Sequence, residues 1–256
     1  MFDPFNDFAE NGYLRNVRKD KDATIIKHVE HNLFRAKLNE ALSFISSKKR
    51  VQYKDFLQIH RILFASYYRW AGQDRSITMP NQAVVKGDVI FCHPLDSKRA
   101  IDTGLLLGQN KPQMQNRFGE VMGLFAFGHP FLDGNGRAIL LMHMELSYRA
   151  GFSISWADTA KSDYLDALGD EIKKPGRGIL DSYLLQFKCP RIERQKWAQC
   201  ILSMNGLNGL DSEDKIIGDL SDPSISDKYK KFEKLRGYVY QKNDIHIYDQ
   251  DRFNLS

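Results

Sequence analysis

The amino-acid sequence predicts a mainly α-helical protein with one small β-hairpin and a C-terminal appendage. Three observations support this fold class: apolar residues recur at helical spacing over four stretches, a β-branched and roughly alternating stretch lies within residues 76–91, and the composition becomes turn-rich after Pro190. The 256 residues, of which 42% are hydrophobic, are enough to bury a sizeable core.

Helices are predicted wherever apolar residues return every three or four positions. The last of the four long stretches is almost wholly apolar over residues 139–142, so we expect this helix in the core. The long helices are predicted at residues 22–47, 53–70, 112–128 and 134–149, and two shorter ones at residues 158–173 and 178–188.

The region between the second and third helices has the pattern of a hairpin. Residues 76–79 and 84–91 are β-branched and roughly alternating, and Pro80, Asn81 and Gly87 supply turns. We therefore expect a small β-hairpin, or flap, in an otherwise helical protein.

The chain beyond Pro190 is interpreted as a separate unit. Residues 1–190 are predicted to form the main domain, and residues 191–256 an appendage of unknown role. Within the appendage, residues 238–248 have the pattern of two short strands around a turn.

Charge and composition exclude several classes of protein. The net charge of +5 is mild and no block of basic residues stands out, so direct nucleic-acid binding is not expected. No apolar run is long enough to cross a membrane, and the N-terminus lacks the pattern of a secretory signal. We therefore expect a protein that acts in the cytoplasm, or one delivered into the cytoplasm of another cell.

The sequence HPFLDGNGR, residues 129–137, carries the residue types of a phosphate-transfer site. Glycines at the start of a helix let backbone N–H groups approach a phosphate, and the positive end of the helix favours an anion. Arg137 matches phosphate oxygens, Asp133 is a suitable ligand for Mg²⁺, and His129 can remove a proton near neutral pH. The residues alone predict transfer of a phosphate-containing group.

At these residues the sequence resembles the Fic family, whose loop reads HPFx[D/E]GNGR, because all eight specified positions match. Residues 12–16 (GYLRN) resemble the family's N-terminal G-x-L-R-N, and residues 59–72 resemble its helix ending in W-A-G, followed by Arg75. The resemblance covers roughly residues 10–190 and implies a Fic-type helical bundle around the motif helix.

The resemblance also implies roles for the loop and the flap. His129 would be the general base, Asp133 the metal ligand, and Pro130 and Phe131 the residues that hold the loop. The phosphates would be held by Gly134, Asn135, Gly136 and Arg137. The target protein would dock as an added strand on the flap at Ile77, Thr78, Met79, Val89, Ile90 and Phe91.

The implied activity is transfer of AMP from ATP, with Mg²⁺ or Mn²⁺, to a Ser, Thr or Tyr hydroxyl of a target protein. Two alternatives remain open: transfer of UMP or another phosphate-containing group by the same fold, and a degenerate module that only binds nucleotide or a partner. The family's setting suggests a bacterial toxin or effector, with a separate small antitoxin-like inhibitor as a possible partner.

Two departures from the family pattern affect these expectations. The second family arginine, which in many members grips the γ-phosphate, is Leu140 here. No segment matches the family's inhibitory helix [S/T]xxxE[G/N], and the nearest stretch is residues 6–11, with Glu10 as its acid. Arg75 and Arg149 are left open as either nucleotide contacts or surface residues.

Overall fold

The computed structural model of the chain describes residues 2–204, 207 and 214–236. Within these residues the chain is mainly helical, as predicted. The helices are α1 (Phe8–Asn11), α2 (Ala23–Ser46), α3 (Tyr53–Phe64), α4 (Arg75–Thr78), α5 (Ser97–Gln109), α6 (Lys111–Asn116), α7 (Phe118–Gly128), α8 (Asn135–Ala150), α9 (Lys161–Lys173), α10 (Ile179–Leu185), α11 (Trp197–Leu202) and α12 (Pro223–Arg236). The strands are β1 (Gln82–Lys86), β2 (Val89–Ile90), β3 (Phe152–Ile154), β4 (Lys188–Pro190) and β5 (Lys215–Asp219).

Helices α7 and α8 form the centre of the fold. Nearly every residue of α7 is buried, and α8 is buried along most of its length, as the apolar run at residues 139–142 predicts. Helices α3 and α5 pack against this pair, α2 contacts α8, and α9 covers α7. The loop between α7 and α8 is therefore supported by buried helices on several sides.

Helix α5 has no counterpart among the helices that the periodicity predicts. It packs closely against α7, and a Cβ built on Gly104 would lie 2.6 Å from the ring of Phe125. Glycine lowers intrinsic helix propensity by about 1 kcal/mol relative to alanine, so the stretch reads weakly as a helix. Here the glycine is required by the close approach of the two helices.

Two predicted helices have different bounds in the structure. The helix predicted at residues 112–128 is wrong as a single element, because Arg117 (φ −133°, ψ 35°) separates α6 from α7. The helix predicted at residues 53–70 ends at Phe64, and turns follow it to Gly72.

The predicted hairpin is real but shorter than expected. Strands β1 and β2 pair antiparallel, with Val85 opposite Ile90 and Lys86 opposite Val89. The expectation of strand structure at residues 76–79 is wrong, because α4 forms a helical turn there. The side chain of Asp74 caps that turn by accepting from the backbone N–H of Ser76. A local capping interaction thus overrides the β-branched pattern.

A third strand joins the hairpin from the predicted appendage. Strand β5 pairs antiparallel with β1, giving the order β2-β1-β5. Helix α12 follows and contacts α9, and the side chain of Trp197 on α11 is 1% exposed. The predicted strands at residues 238–248 lie outside the described residues, and the domain boundary at residue 190 stays a prediction.

No helix in the described part of the chain is both long enough and apolar enough to cross a bilayer.

Candidate active site

The loop between α7 and α8 begins at His129 in an unusual backbone conformation. His129 ends α7 with φ 36° and ψ 58°, a left-handed geometry uncommon for a residue with a side chain. Arg75 is fully buried and fixes this turn through two hydrogen bonds. Its Nε donates to the carbonyl of His129 at 2.7 Å, and its backbone N–H donates to the carbonyl of Pro130 at 2.7 Å. These hydrogen bonds thus stabilise the strained backbone conformation of His129. Arg75, whose role the sequence leaves open, is a structural residue.

The His129 imidazole is held on one face and at one nitrogen. Its ring stacks on Phe91 with the centroids 3.6 Å apart and the planes 7° apart. Its Nε2 lies 2.7 Å from Oδ2 of Asp214 and 3.2 Å from Nδ2 of Asn135. Burial lowers the pKa of His129, although the Asp214 carboxylate acts to raise it. The neutral imidazole, which can accept a proton, therefore predominates near neutral pH.

This balance makes the pKa of His129 sensitive to Asp214. Removing the carboxylate charge in Asp214→Asn removes an interaction that favours the imidazolium ion, so the pKa of His129 should fall further. An NMR titration of the histidine ring signals in both proteins measures the change. His143, whose pKa is lowered to about 4 mainly by burial, is the internal control and should not move. An unchanged or higher pKa of His129 in the variant would contradict the assigned contact.

The middle of the loop is held by Asn135 and requires a glycine at one position. The Asn135 side chain bridges the backbone of Phe131, donating to its carbonyl at 2.7 Å and accepting from its N–H at 2.9 Å. Gly134 has φ +76°, and a Cβ there would lie 2.6 Å from the ring of Phe64. A Cβ on Gly136, by contrast, would meet no atom of the described residues within 4 Å, so among these residues the start of α8 is open to a ligand.

His60 is a loop-positioning residue to which the sequence gives no role. The backbone N–H of Gly72 donates to its Nδ1 at 3.1 Å, so the proton lies on Nε2, which donates to the carbonyl of Asp133 at 2.9 Å. Its ring stacks on Phe131 with the centroids 3.8 Å apart. Burial lowers the pKa of His60 to about 3, which keeps the ring neutral and this hydrogen-bond pattern fixed. In the sequence, this role of His60 is indicated only by its position within residues 59–72, the stretch that ends in W-A-G.

Asp133 and Arg137 face α2, which supplies two charged partners that the sequence did not indicate. Lys27 Nζ lies 2.7 Å from Oδ2 of Asp133, and Arg137 Nη2 lies 3.0 Å from Oε2 of the fully buried Glu30. Tyr68 also donates to Glu30, at 2.5 Å. Although burial acts to raise it, Lys27 and Arg137 hold the pKa of Asp133 well below its usual range. Both predicted ligand groups are therefore charged and already paired within the chain.

A cleft of about 600 Å³ opens beside the loop. His129, Asn135 and Gly136 line its floor, and the turn between β1 and β2 and one side of α9 form its walls. Phe91 and Ile139 add apolar surface. The volume is in the range of small-molecule sites, and polar groups from the loop converge on one end of it.

The six residues predicted for target docking do not form one surface. Ile77 and Thr78 line a separate hollow on α4 and Met79 is buried in the core, whereas Phe91 is largely buried but lines the cleft. The remaining two form β2, the short strand beside the cleft. The role of these residues in docking stays a prediction.

The residues that depart from the family pattern have clear positions. Leu140 is buried in the main hydrophobic core. Glu10 is exposed, and the glutamate that contacts Arg137 is Glu30. Arg149 donates to the carbonyls of Ile45 and Lys48 at the end of α2, and so has a structural role.

Two buried helices joined by a rigid loop of this composition define a Fic-type helical domain. Residues 50–146 match the model of the Fic/DOC family, so this segment of the chain is similar to that family.

Relatives and solved structures agree with this assignment. The chain is 28% identical over 162 residues to protein adenylyltransferase VbhT of Bartonella schoenbuchensis; the match covers 60% of this chain and about a third (32%) of that protein. A VirB-translocated Bep effector of Bartonella quintana, whose N-terminal Fic domain was solved with ADP, has a TM-score of 0.61 at 18% identity and covers 76% of this chain and 99% of that one. BepC of Bartonella tribocorum, solved with AMPPNP, has a TM-score of 0.59 at 15% identity and covers 75% and 100%. These structural likenesses establish the fold.

Proposed function

We propose that this chain transfers AMP from ATP to a hydroxyl side chain of a target protein. The observation that carries the proposal is the arrangement of the loop. It combines a buried neutral imidazole at the edge of a cleft with an open helix N-terminus within the same nine residues, 129–137. The name of the relative in Bartonella schoenbuchensis, a protein adenylyltransferase, supports the same activity.

The N-terminus of α8 suits the phosphates of a nucleotide. The first N–H groups of a helix have no partner within the helix, and the helix dipole makes this end favourable for an anion. Gly136 leaves the backbone open toward the cleft, and Asn135 keeps the first turn rigid through its bonds to Phe131. Apolar side chains that line the cleft, such as Phe91, Ile139 and Leu168, suit a nucleobase. The ADP and AMPPNP bound in the two structural neighbours support nucleotide binding by this chain.

Asp133 and Arg137 fit the charges of the nucleotide and its metal ion. Mg²⁺ on a nucleotide commonly takes one or two protein carboxylates and completes its shell with phosphate and water oxygens, so a single aspartate is sufficient. When bound, the ion would neutralise phosphate charge. For Asp133 to serve, the Lys27 ammonium 2.7 Å away must release it. Arg137 uses one nitrogen on Glu30, and the other donors of its guanidinium can bind phosphate oxygens.

The proposed reaction then follows from the position of His129. The target hydroxyl donates its proton to Nε2 as its oxygen attacks the α-phosphorus of ATP. The new bond joins this oxygen to phosphorus, the bond to the bridging oxygen breaks, and pyrophosphate leaves. Asn135, 3.2 Å from Nε2, helps to orient the imidazole for this step. Positioning and electrostatic stabilisation account for most of the rate in such transfers.

The test is a labelling experiment with each ribonucleoside triphosphate, carrying its label on the α-phosphate. Full-length protein is incubated with Mg²⁺ and a cell lysate, and His129→Ala is treated identically. We expect labelled protein bands from ATP with the wild-type chain and none with the variant. Labelling chiefly from UTP would replace AMP by UMP as the transferred group. ATP binding without transfer from any nucleotide would favour the degenerate binding module and contradict the proposal.

The setting of this activity is also proposed. The two structural neighbours are VirB-translocated effectors, which supports delivery of this chain into another cell; action in the cytoplasm of its own cell is the alternative. A separate small antitoxin-like inhibitor is proposed as a further partner, and co-purification of the chain from its source would test for it.

A further inference from the structure

The outer edge of the flap is covered by a segment of the same chain. Strand β5 runs antiparallel to β1, with Lys215 opposite Val85, Ile216 opposite Val84 and Asp219 opposite Gln82. Beyond the strand, Leu220 donates its N–H to the carbonyl of Asn81 at 2.8 Å. An extended segment added to a sheet edge in this way is a common mode by which proteins bind peptide segments of their partners.

Asp214, the residue before β5, contacts the side chain of His129, the proposed catalytic base. Asp214 Oδ2 is 2.7 Å from Nε2 of His129, and its Oδ1 is 4.0 Å from Nζ of Lys86. The Asp214 side chain is only 12% exposed, so it fills the space beside the imidazole. In the proposed reaction this nitrogen must receive the proton of the target hydroxyl. A carboxylate can occupy that position but has no hydroxyl to donate.

The strand and the helix that follows it are held very differently. Lys215 and Asp219 at the ends of β5 are exposed, and its three central residues are only half-buried. Helix α12 is anchored in the core: Tyr229 donates to the carbonyl of Phe91 at 2.9 Å, and the Arg236 guanidinium lies 3.4 Å from the ring centroid of Phe127. Strand β5 can therefore leave β1 while α12 stays attached.

We infer that residues 214–219 occupy the docking site of the target protein as an intramolecular pseudosubstrate, with Asp214 in the position of the acceptor hydroxyl. The inference rests on the proposed function, since it assigns the target site of that reaction. It gives the register of the target: the modified residue directly precedes an extended segment that pairs with β1. It also means that β5 must leave before a target can dock.

The sharpest test converts the pseudosubstrate into a substrate within the full chain. In Asp214→Thr the threonine oxygen attacks the α-phosphorus of ATP, its proton passes to His129 Nε2, and pyrophosphate leaves. We expect an AMP adduct on residue 214, mapped by mass spectrometry of peptides. The matched control is Lys215→Thr, because neighbouring strand residues point to opposite faces and Lys215 is exposed. Neither this control nor Asp214→Thr combined with His129→Ala should carry the adduct.

The outcomes separate this inference from the proposed function. If Asp214→Thr labels lysate proteins but carries no adduct on its own residue 214, the pseudosubstrate assignment is wrong and the transferase activity stands. Equal modification of the introduced threonine in Asp214→Thr and in Lys215→Thr would also overturn the assigned register. If nothing is labelled in any reaction, the proposed function fails, and a measurement independent of transfer decides the inference.

That measurement is peptide binding to the full chain. A fluorescent peptide with the sequence of residues 214–220, and threonine at its first position, is titrated into wild type and Gly218→Pro. Gly218 has φ +151°, which proline cannot adopt, so the substitution should release β5. We expect at least tenfold tighter binding to the variant, whose docking edge is free. Equal binding to both proteins, or binding to neither when circular dichroism shows both folded, would overturn the inference.

Discussion

His129→Ala is expected to lower the rate of AMP transfer by about 10²–10⁴-fold, the usual range for loss of a general base. His129 is the residue whose Nε2 faces the proposed hydroxyl position, and burial keeps its ring neutral and able to accept a proton. Nucleotide affinity should change little, because the phosphate groups are assigned to the start of α8 and to Arg137. The measurements are the single-turnover rate of transfer and, separately, the dissociation constant of ATP.

His28→Ala is the matched control, since His28 is exposed on α2 and should affect neither quantity. Loss of ATP binding together with transfer in His129→Ala would show that the histidine shapes the nucleotide site and would leave its role as a base unsupported. Retained transfer would mean that another group or water removes the proton. Either result would require a different assignment of the loop.

The fold and the loop could be predicted to different extents, for physical reasons. The loop chemistry lies within nine consecutive residues, and α7 and α8 are indicated by their nearly continuous apolar sequence. Helix α5 was not predicted because Gly104 weakens its helical signal, and the need for glycine arises only from the contact with Phe125. Sequence patterns report local preference, whereas this helix is decided by packing.

The partners of the loop residues could not be predicted, because they are far away in sequence. Lys27 and Glu30 lie on an earlier helix, His60 lies on α3, and Asp214 belongs to a segment that reads as a separate appendage. None stands in a spacing that indicates a site. Each acts through ion pairs or hydrogen bonds that are made only in the folded chain. The sequence therefore predicts the reacting groups better than it predicts what restrains them.

Arg137→Ala should damage both stability and transfer, and the two effects can be separated. The substitution leaves the fully buried Glu30 carboxylate without its main cation, because Lys27, 3.5 Å away, is shared with Asp133. Removing one partner of a buried ion pair costs about 3–5 kcal/mol of the free energy of unfolding. Chemical denaturation measures this loss, and transfer should also fall because phosphate binding is weakened.

The double variant Glu30→Gln with Arg137→Ala distinguishes the two roles of the arginine. Glutamine can still accept the hydrogen bond of Tyr68 but carries no charge, so much of the lost stability should return while transfer stays low. Arg149→Ala is the matched control on the same helix. Its partner Glu145 is as buried as Glu30 but keeps a second cation, Arg194, at 2.5 Å. The free energy of unfolding should therefore fall less than in Arg137→Ala, and transfer should be unaffected. If the double variant regained transfer, Arg137 would serve only to neutralise Glu30, and the phosphates would have to be held by α8 alone.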